Sequence, residues 1–263
     1  MTSNSISLNP VLIGRTLGIL AFLLVAASLA GQLISYITGD DRLYGFVSLF
    51  NVDAEHNIPT FFTVFLLLSA ALLLSVITLL ERNRTASRVS HWLILSCGFL
   101  LMAVDELVSI HERLIKPIRN LLGNGNLGVF YFAWVILGIA LIFFLAWFFL
   151  KFWLRLPAKT RLTFFMAAVI YIGGSIGFEM IGGRYAEVHG LEDLTYKMIA
   201  TVEESLEMAG IILFIRGLLA YIAESHREVR FRFDGSCEEV TLASPEACQT
   251  KAGQIGLSET GNL

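Results

Sequence analysis

Charge is what this chain is short of. Only 16% of its 263 residues are charged and the formal net charge is −3. No stretch has the density of lysine and arginine that duplex binding needs, which excludes nucleic acid as a partner. Cysteine is scarce too: Cys97, Cys237 and Cys248 show neither CxxC spacing nor a zinc pattern. Cys97 lies in an apolar run, where a thiol behaves as a small hydrophobe, and the other two lie in a polar tail with no redox role to assign. The five histidines are scattered, and there is no nucleotide-binding or haem motif and no internal repeat.

Apolar sequence is what remains. Hydrophobic residues make up 56% of the chain, and the mean hydropathy is +0.70. A soluble domain of this size could not hide so much apolar surface. A bilayer can, since each helical crossing takes about 20 mostly apolar residues. Six segments approach that length: residues 16–38, 58–80, 90–110, 127–150, 162–183 and 199–222. The first looks like a signal peptide at its start, with Arg15 ahead of it and Ser28-Leu29-Ala30 as a weak cleavage site. It nevertheless runs on to Thr38, long enough to span, and reads as an uncleaved helix. The expected fold is all-α: a polytopic membrane bundle of about six helices over residues 1–224, then a polar, disordered tail over 225–263.

Basic residues of the short loops set the expected orientation. Arg82, Arg84 and Arg88 follow the second segment, Lys151, Arg155, Lys159 and Arg161 the fourth, and Arg227, Arg230 and Arg232 the sixth. These fall on one side, which puts both termini in the cytoplasm of a bacterial cell, with the inner membrane as the location. Arg113, Lys116 and Arg119 fall on the opposite side. Leu114, Ile115, Ile118, Leu121 and Leu122 lie among them, which predicts a segment along the membrane interface.

Several acids stand inside the apolar segments, where ionisable groups are costly and mark candidate sites. At 1.5 Å per residue Asp105 lies about 7 Å below the outer edge, and Glu179 and Glu207 about 5 Å below it. Glu106, Glu112, Glu203 and Glu204 lie near that depth, and His111 stands at the edge. Three helices thus bring carboxylates to one level on one side. Asp105, Ser109 and Glu112 fall within about 60° of arc, with His111 pointing elsewhere, and Glu207 is central among the three glutamates of the last helix. Tyr171 and Ser175 share a stripe with Glu179, and Gly173 and Gly177 form a GxxxG that predicts close helix approach. So many carboxylates at low dielectric need protons or cations. Oxygen ligands with a histidine suit Mg²⁺, Ca²⁺, Mn²⁺ or iron. The first outer loop adds Asp53, Glu55 and His56, and the third adds His189. Blander readings stand beside this one. Glu203 and Glu204 open a helix, where acids suit the dipole. His91 reads as a boundary residue, and the aromatics of the fourth segment, Trp134 among them, read as lipid-facing or core.

Three stretches carry a resemblance: Asn51 to Pro59 (NVDAEHNIP), Asp105 to Glu112 (DELVSIHE) and Glu203 to Gly210 (EESLEMAG). Together they resemble bacterial multipass inner-membrane proteins with no assigned function, over residues 51–221, and the resemblance implies no activity. Other families fail on their residues. The pair Glu203-Glu204 resembles membrane proteases of the CAAX type, but Met208 stands where those carry arginine. Di-iron ExxH pairs, desaturase histidine boxes and a retinal-bearing lysine in the last helix are all missing. Three functions stay open: a metal-dependent membrane enzyme, a proton- or cation-coupled transporter, and a structural or sensory subunit packed around an acidic network. The acids cluster on one side without an inverted repeat, which weighs against the transporter. The bilayer is the one partner read from the sequence.

Overall fold

A computed structural model describes residues 9–39, 45–54, 56–82, 86–123 and 125–225. Glu55 and the tail beyond Ser225 lie outside the described residues. Helices α1 (Pro10–Thr38), α2 (Phe46–Phe50), α3 (Ile58–Glu81), α4 (Ala86–Val108) and α5 (Ile110–Leu121) are followed by α6 (Trp134–Leu154) and α7 (Ala158–Ile172). A π-helical turn, Gly173–Phe178, joins α7 to α8 (Glu179–His189), and α9 (Leu194–Ser225) closes the bundle. No strand forms among the described residues. Six helices are long and apolar enough to cross a membrane: α1, α3, α4, α6, the α7–α8 rod and α9. The protein is an all-α multipass membrane protein.

Local chemistry sets the ends of these helices. Asn9 caps α1 by accepting from the N–H groups of Val11 and Leu12, Pro10 fills the first position, and Gly39 (φ 68°) ends it. Asn57 caps α3 by accepting from Thr60 N–H at 3.1 Å. The sequence predicts one unbroken third helix to residue 110, but the chain breaks earlier. Ser109 adopts a left-handed φ of 53°, ending α4 and starting α5.

Helices α3 and α9 form the centre and pack on each other, with α4, α7 and α1 around them. Leu66, Leu67, Leu74 and Ile77 of α3 meet Met208, Ile211, Ile215 and Leu218 of α9, with Trp92 of α4 fully buried beside them. Helix α6 lies at the periphery, where Phe143 and Trp147 are exposed. His91 stacks on Phe152 of α6 with ring centroids 5.1 Å apart, so it is a packed ring at a boundary.

The predicted GxxxG is not where the helices touch. A Cβ at Gly173 or Gly177 would meet nothing within 4 Å. The π-turn carries one residue more per turn than an α-helix, which rotates Gly174 onto α9 instead. A Cβ there would lie 2.8 Å from the Glu203 carbonyl oxygen, and one at Gly210 would lie 2.8 Å from the Tyr171 backbone nitrogen. Gly210→Val is therefore expected to cost about 1–3 kcal/mol by overpacking. It should lower the melting temperature in detergent, while Gly18→Val, with nothing within 4 Å, should not. Equal melting of the two variants would refute the close approach.

Candidate functional site: an acid-lined cavity at one end of the bundle

Bringing α3, α4, α6, α8 and α9 together leaves a cavity of about 170 Å³ at the end where α4 stops and α9 starts. That is more than ten times the roughly 10–15 Å³ that one water molecule needs. Eight carboxyl side chains line it: Asp53, Asp105, Glu106, Glu112, Glu179, Glu203, Glu204 and Glu207. They come from five separate segments. His111 lines it too, and among the described residues no lysine or arginine does.

The broken helix builds the first part. Because Ser109 turns left-handed, the start of α5 folds back on the last turn of α4. The Asp105 carboxylate then accepts two hydrogen bonds from His111, one from the backbone N–H at 3.0 Å and one from ring Nδ1 at 2.7 Å. Asp105 thus caps α5, satisfying a donor that its first turn leaves unpaired. It also holds the imidazole with Nε2 as the remaining ring nitrogen. Trp134 packs against this imidazole, with centroids 4.9 Å apart, and its Nε1–H donates to Glu179 Oε1 at 2.8 Å.

Helix α9 and the π-turn build the second part. The close approach at Gly174 sets Glu203 and Glu207 against the π-turn. Glu203 faces Glu179 across the cavity wall, and Tyr171 faces Glu207. Glu203, Glu204 and Glu207 are all partly exposed, although they lie within a membrane-spanning helix. Their exposure is to the cavity.

The loop before α3 closes the rim. Asn57 Nδ2 donates to the Asn51 carbonyl at 2.6 Å, and Val52 N–H donates to Ser28 Oγ at 3.1 Å. Gln32 Nε2 bridges Ser28, Asn51 and Thr201 at 3.1–3.3 Å, tying α1, the loop and α9 together. This presents Asp53 at the rim, open to water on one side and crowded by protein on the other. Burial, then the charges of Glu179 and Glu112, push its carboxyl up to about 6. For His111 burial works against the proton, but the bond to Asp105 and the nearby acids outweigh it and raise the group to about 8.

Both shifts have one sign for stability. A group that holds its proton more tightly when folded stabilises the fold while the proton is on. The Asp53 contribution is complete below pH 3.8 and is lost as pH rises through about 6. The His111 contribution is complete below pH 6.5 and is lost as pH rises through about 8. The melting temperature in chelator is expected to fall between those last two values, and His111→Gln should flatten that step. A step that persists in the variant would assign it to other groups.

The cavity thus brings together Asp105, Glu106, Glu112, Glu179, Glu203, Glu204, Glu207, His111 and Asp53. It leaves out His56, exposed in the rim loop with φ 57°, and His189, which stacks on Tyr185 with centroids 4.3 Å apart. His111 does not point away from the acids, as continuous-helix geometry requires; the kink at Ser109 turns it onto Asp105. The sequence also assigns Trp134 to lipid or core, and passes over Tyr196, which lines the cavity. Trp134 opens α6 at the level of the acids, and that depth was the available signal. Among the described residues no three histidine, cysteine, aspartate or glutamate side chains are grouped closely enough to hold a metal ion as they stand.

Fold and site define a class: a multipass helical membrane protein with an acid-lined chamber at one end. The chain belongs to the family described as Domain of unknown function (DUF8692), which matches residues 16–222. No curated protein and no solved structure matches it.

Proposed function

We propose that this protein is a divalent-cation-dependent membrane enzyme whose cavity faces outward from a bacterial inner membrane, with both termini cytoplasmic. One observation carries the reading: eight carboxyl groups from five segments share one cavity with an aspartate-held histidine. The loop arginines and lysines support the orientation. Glu179, Glu203, Glu204 and Glu207 would supply oxygens to Mg²⁺, Mn²⁺, Ca²⁺ or Fe²⁺. The ungrouped acids suit a hydrated ion, since Mg²⁺ keeps several waters and uses one or two carboxylates. His111 would take a proton from water through Nε2, with Asp105 fixing the ring by the other nitrogen. A cation nearby would also favour loss of the His111 proton. The fully buried apolar layer of Leu66, Leu74, Met208, Ile211 and Leu218, beyond Leu67 of the cavity wall, favours chemistry at one face over passage across.

A second reading has its own support. Glu179 faces Glu203 and holds the Trp134 N–H, and Asp105 holds His111, as in a network that only fixes helix packing. Elemental analysis of protein purified without chelator, with melting in chelator and in millimolar Mg²⁺, Mn²⁺, Ca²⁺ or Fe²⁺, separates the two. Retained metal or a raised melting temperature is expected. No metal and no shift with any of the four ions would leave the packing network.

A further inference from the structure

Helix α5 has no buried residue, yet it is strongly amphipathic. At about 100° per residue its surface divides into three sectors. His111, Ile115 and Ile118 face the bundle, and His111 and Ile115 line the cavity. Ile110, Leu114 and Leu121 form an adjoining apolar stripe, exposed on the protein surface, with Leu121 86% exposed. Glu112, Arg113, Lys116 and Asn120 form the third sector and are exposed as well. Arg119 is spent on the protein, donating to the Tyr131 carbonyl at 2.9 Å and lying over its ring.

The kink at Ser109 places this helix where a membrane span ends. A helix there with an apolar stripe on one side and a cationic one on the other lies in the membrane interface. We infer that α5 rests in the headgroup layer and binds the phosphate of an anionic phospholipid through Arg113 and Lys116, at the rim of the cavity. Charge complementarity selects the occupant: two exposed cations sit beside apolar residues that need acyl chains, and phosphate diesters of the same leaflet offer both. Glu112, between the cations and the cavity, keeps the headgroup's negative charge on the outer side of the helix. The inference stands apart from cation binding, because neither Arg113 nor Lys116 lines the cavity.

Two measurements test it. Native mass spectrometry after purification from mixed phosphatidylglycerol and phosphatidylethanolamine micelles should show at least one tightly retained phosphatidylglycerol. R113Q/K116Q, with unchanged melting, should lose it. Unchanged retention would overturn the inference. Spin labels at Leu121→Cys and Lys116→Cys, with the native cysteines changed to serine, give a reading that does not depend on that variant. In nanodiscs the first should be reached by oxygen and the second by a water-soluble nickel chelate. Equal access of the chelate to both would place α5 in water and refute the inference.

Discussion

Replacing Glu203, Glu204 and Glu207 together by glutamine is expected to raise the melting temperature in chelator and to abolish any further rise with Mg²⁺ or Mn²⁺. The three side chains share one helix turn with Glu179 and Glu106 near them. Carboxylates held this close in low dielectric repel one another. Glutamine keeps the shape and hydrogen-bonding capacity but not the charge, so the variant removes repulsion that a cation would otherwise neutralise. At a cation concentration of 100 times Kd the wild-type gain is about 2.7 kcal/mol. For a chain of this size that corresponds to roughly 5–10 °C. A packing network predicts the reverse, a lower melting temperature for the variant and no cation effect in either protein. Circular dichroism melts in detergent read both.

Asp105→Asn is expected to have the second large effect, first on His111 and through it on stability below about pH 8, where the His111 proton stabilises the fold. Asparagine Oδ1 can still accept the His111 backbone N–H, so the cap on α5 survives. Its NH₂, left facing ring Nδ1, donates and cannot accept a hydrogen bond from Nδ1–H as the carboxylate does. His111 should fall from about 8 to 6.5 or below, because burial then acts without its counterweight. An NMR titration of the imidazole measures this directly. Cation binding should weaken only a few-fold, since Asp105 acts through His111, whereas Glu207→Gln should weaken it more. Asp105→Ala, which removes the cap as well, should also lower the melting temperature by about 1 kcal/mol equivalent. An unmoved imidazole in Asp105→Asn would remove Asp105 from its positioning role.

The helices were legible because bilayer thickness imposes one length on every crossing. The level of the acids was legible for the same reason: rise per residue converts sequence position to depth. Which side chains touch was harder to read. His111 was misplaced because one residue, Ser109, leaves helical geometry, and nothing about a serine at that position announces a left-handed turn. The glycine contact shifted from Gly173 and Gly177 to Gly174 because a π-turn adds a residue to the helical repeat. Trp134 was missed because an indole opening an aromatic-rich helix has the composition of a lipid-facing residue, and only the position of Glu179 gives its N–H a partner. These three local departures from α-helical geometry or average composition all fall around the cavity, as expected where a site and not the fold constrains the chain.

The proposed enzyme requires a divalent cation in the carboxyl cavity. Titrating Mn²⁺ into detergent-solubilised protein and following the free-ion electron paramagnetic resonance signal measures this directly. Wild-type protein is expected to remove Mn²⁺ from solution in a saturable way, Mg²⁺ to compete, and the triple glutamine variant to leave the signal untouched. Equal, non-saturating loss of signal with both proteins would contradict it.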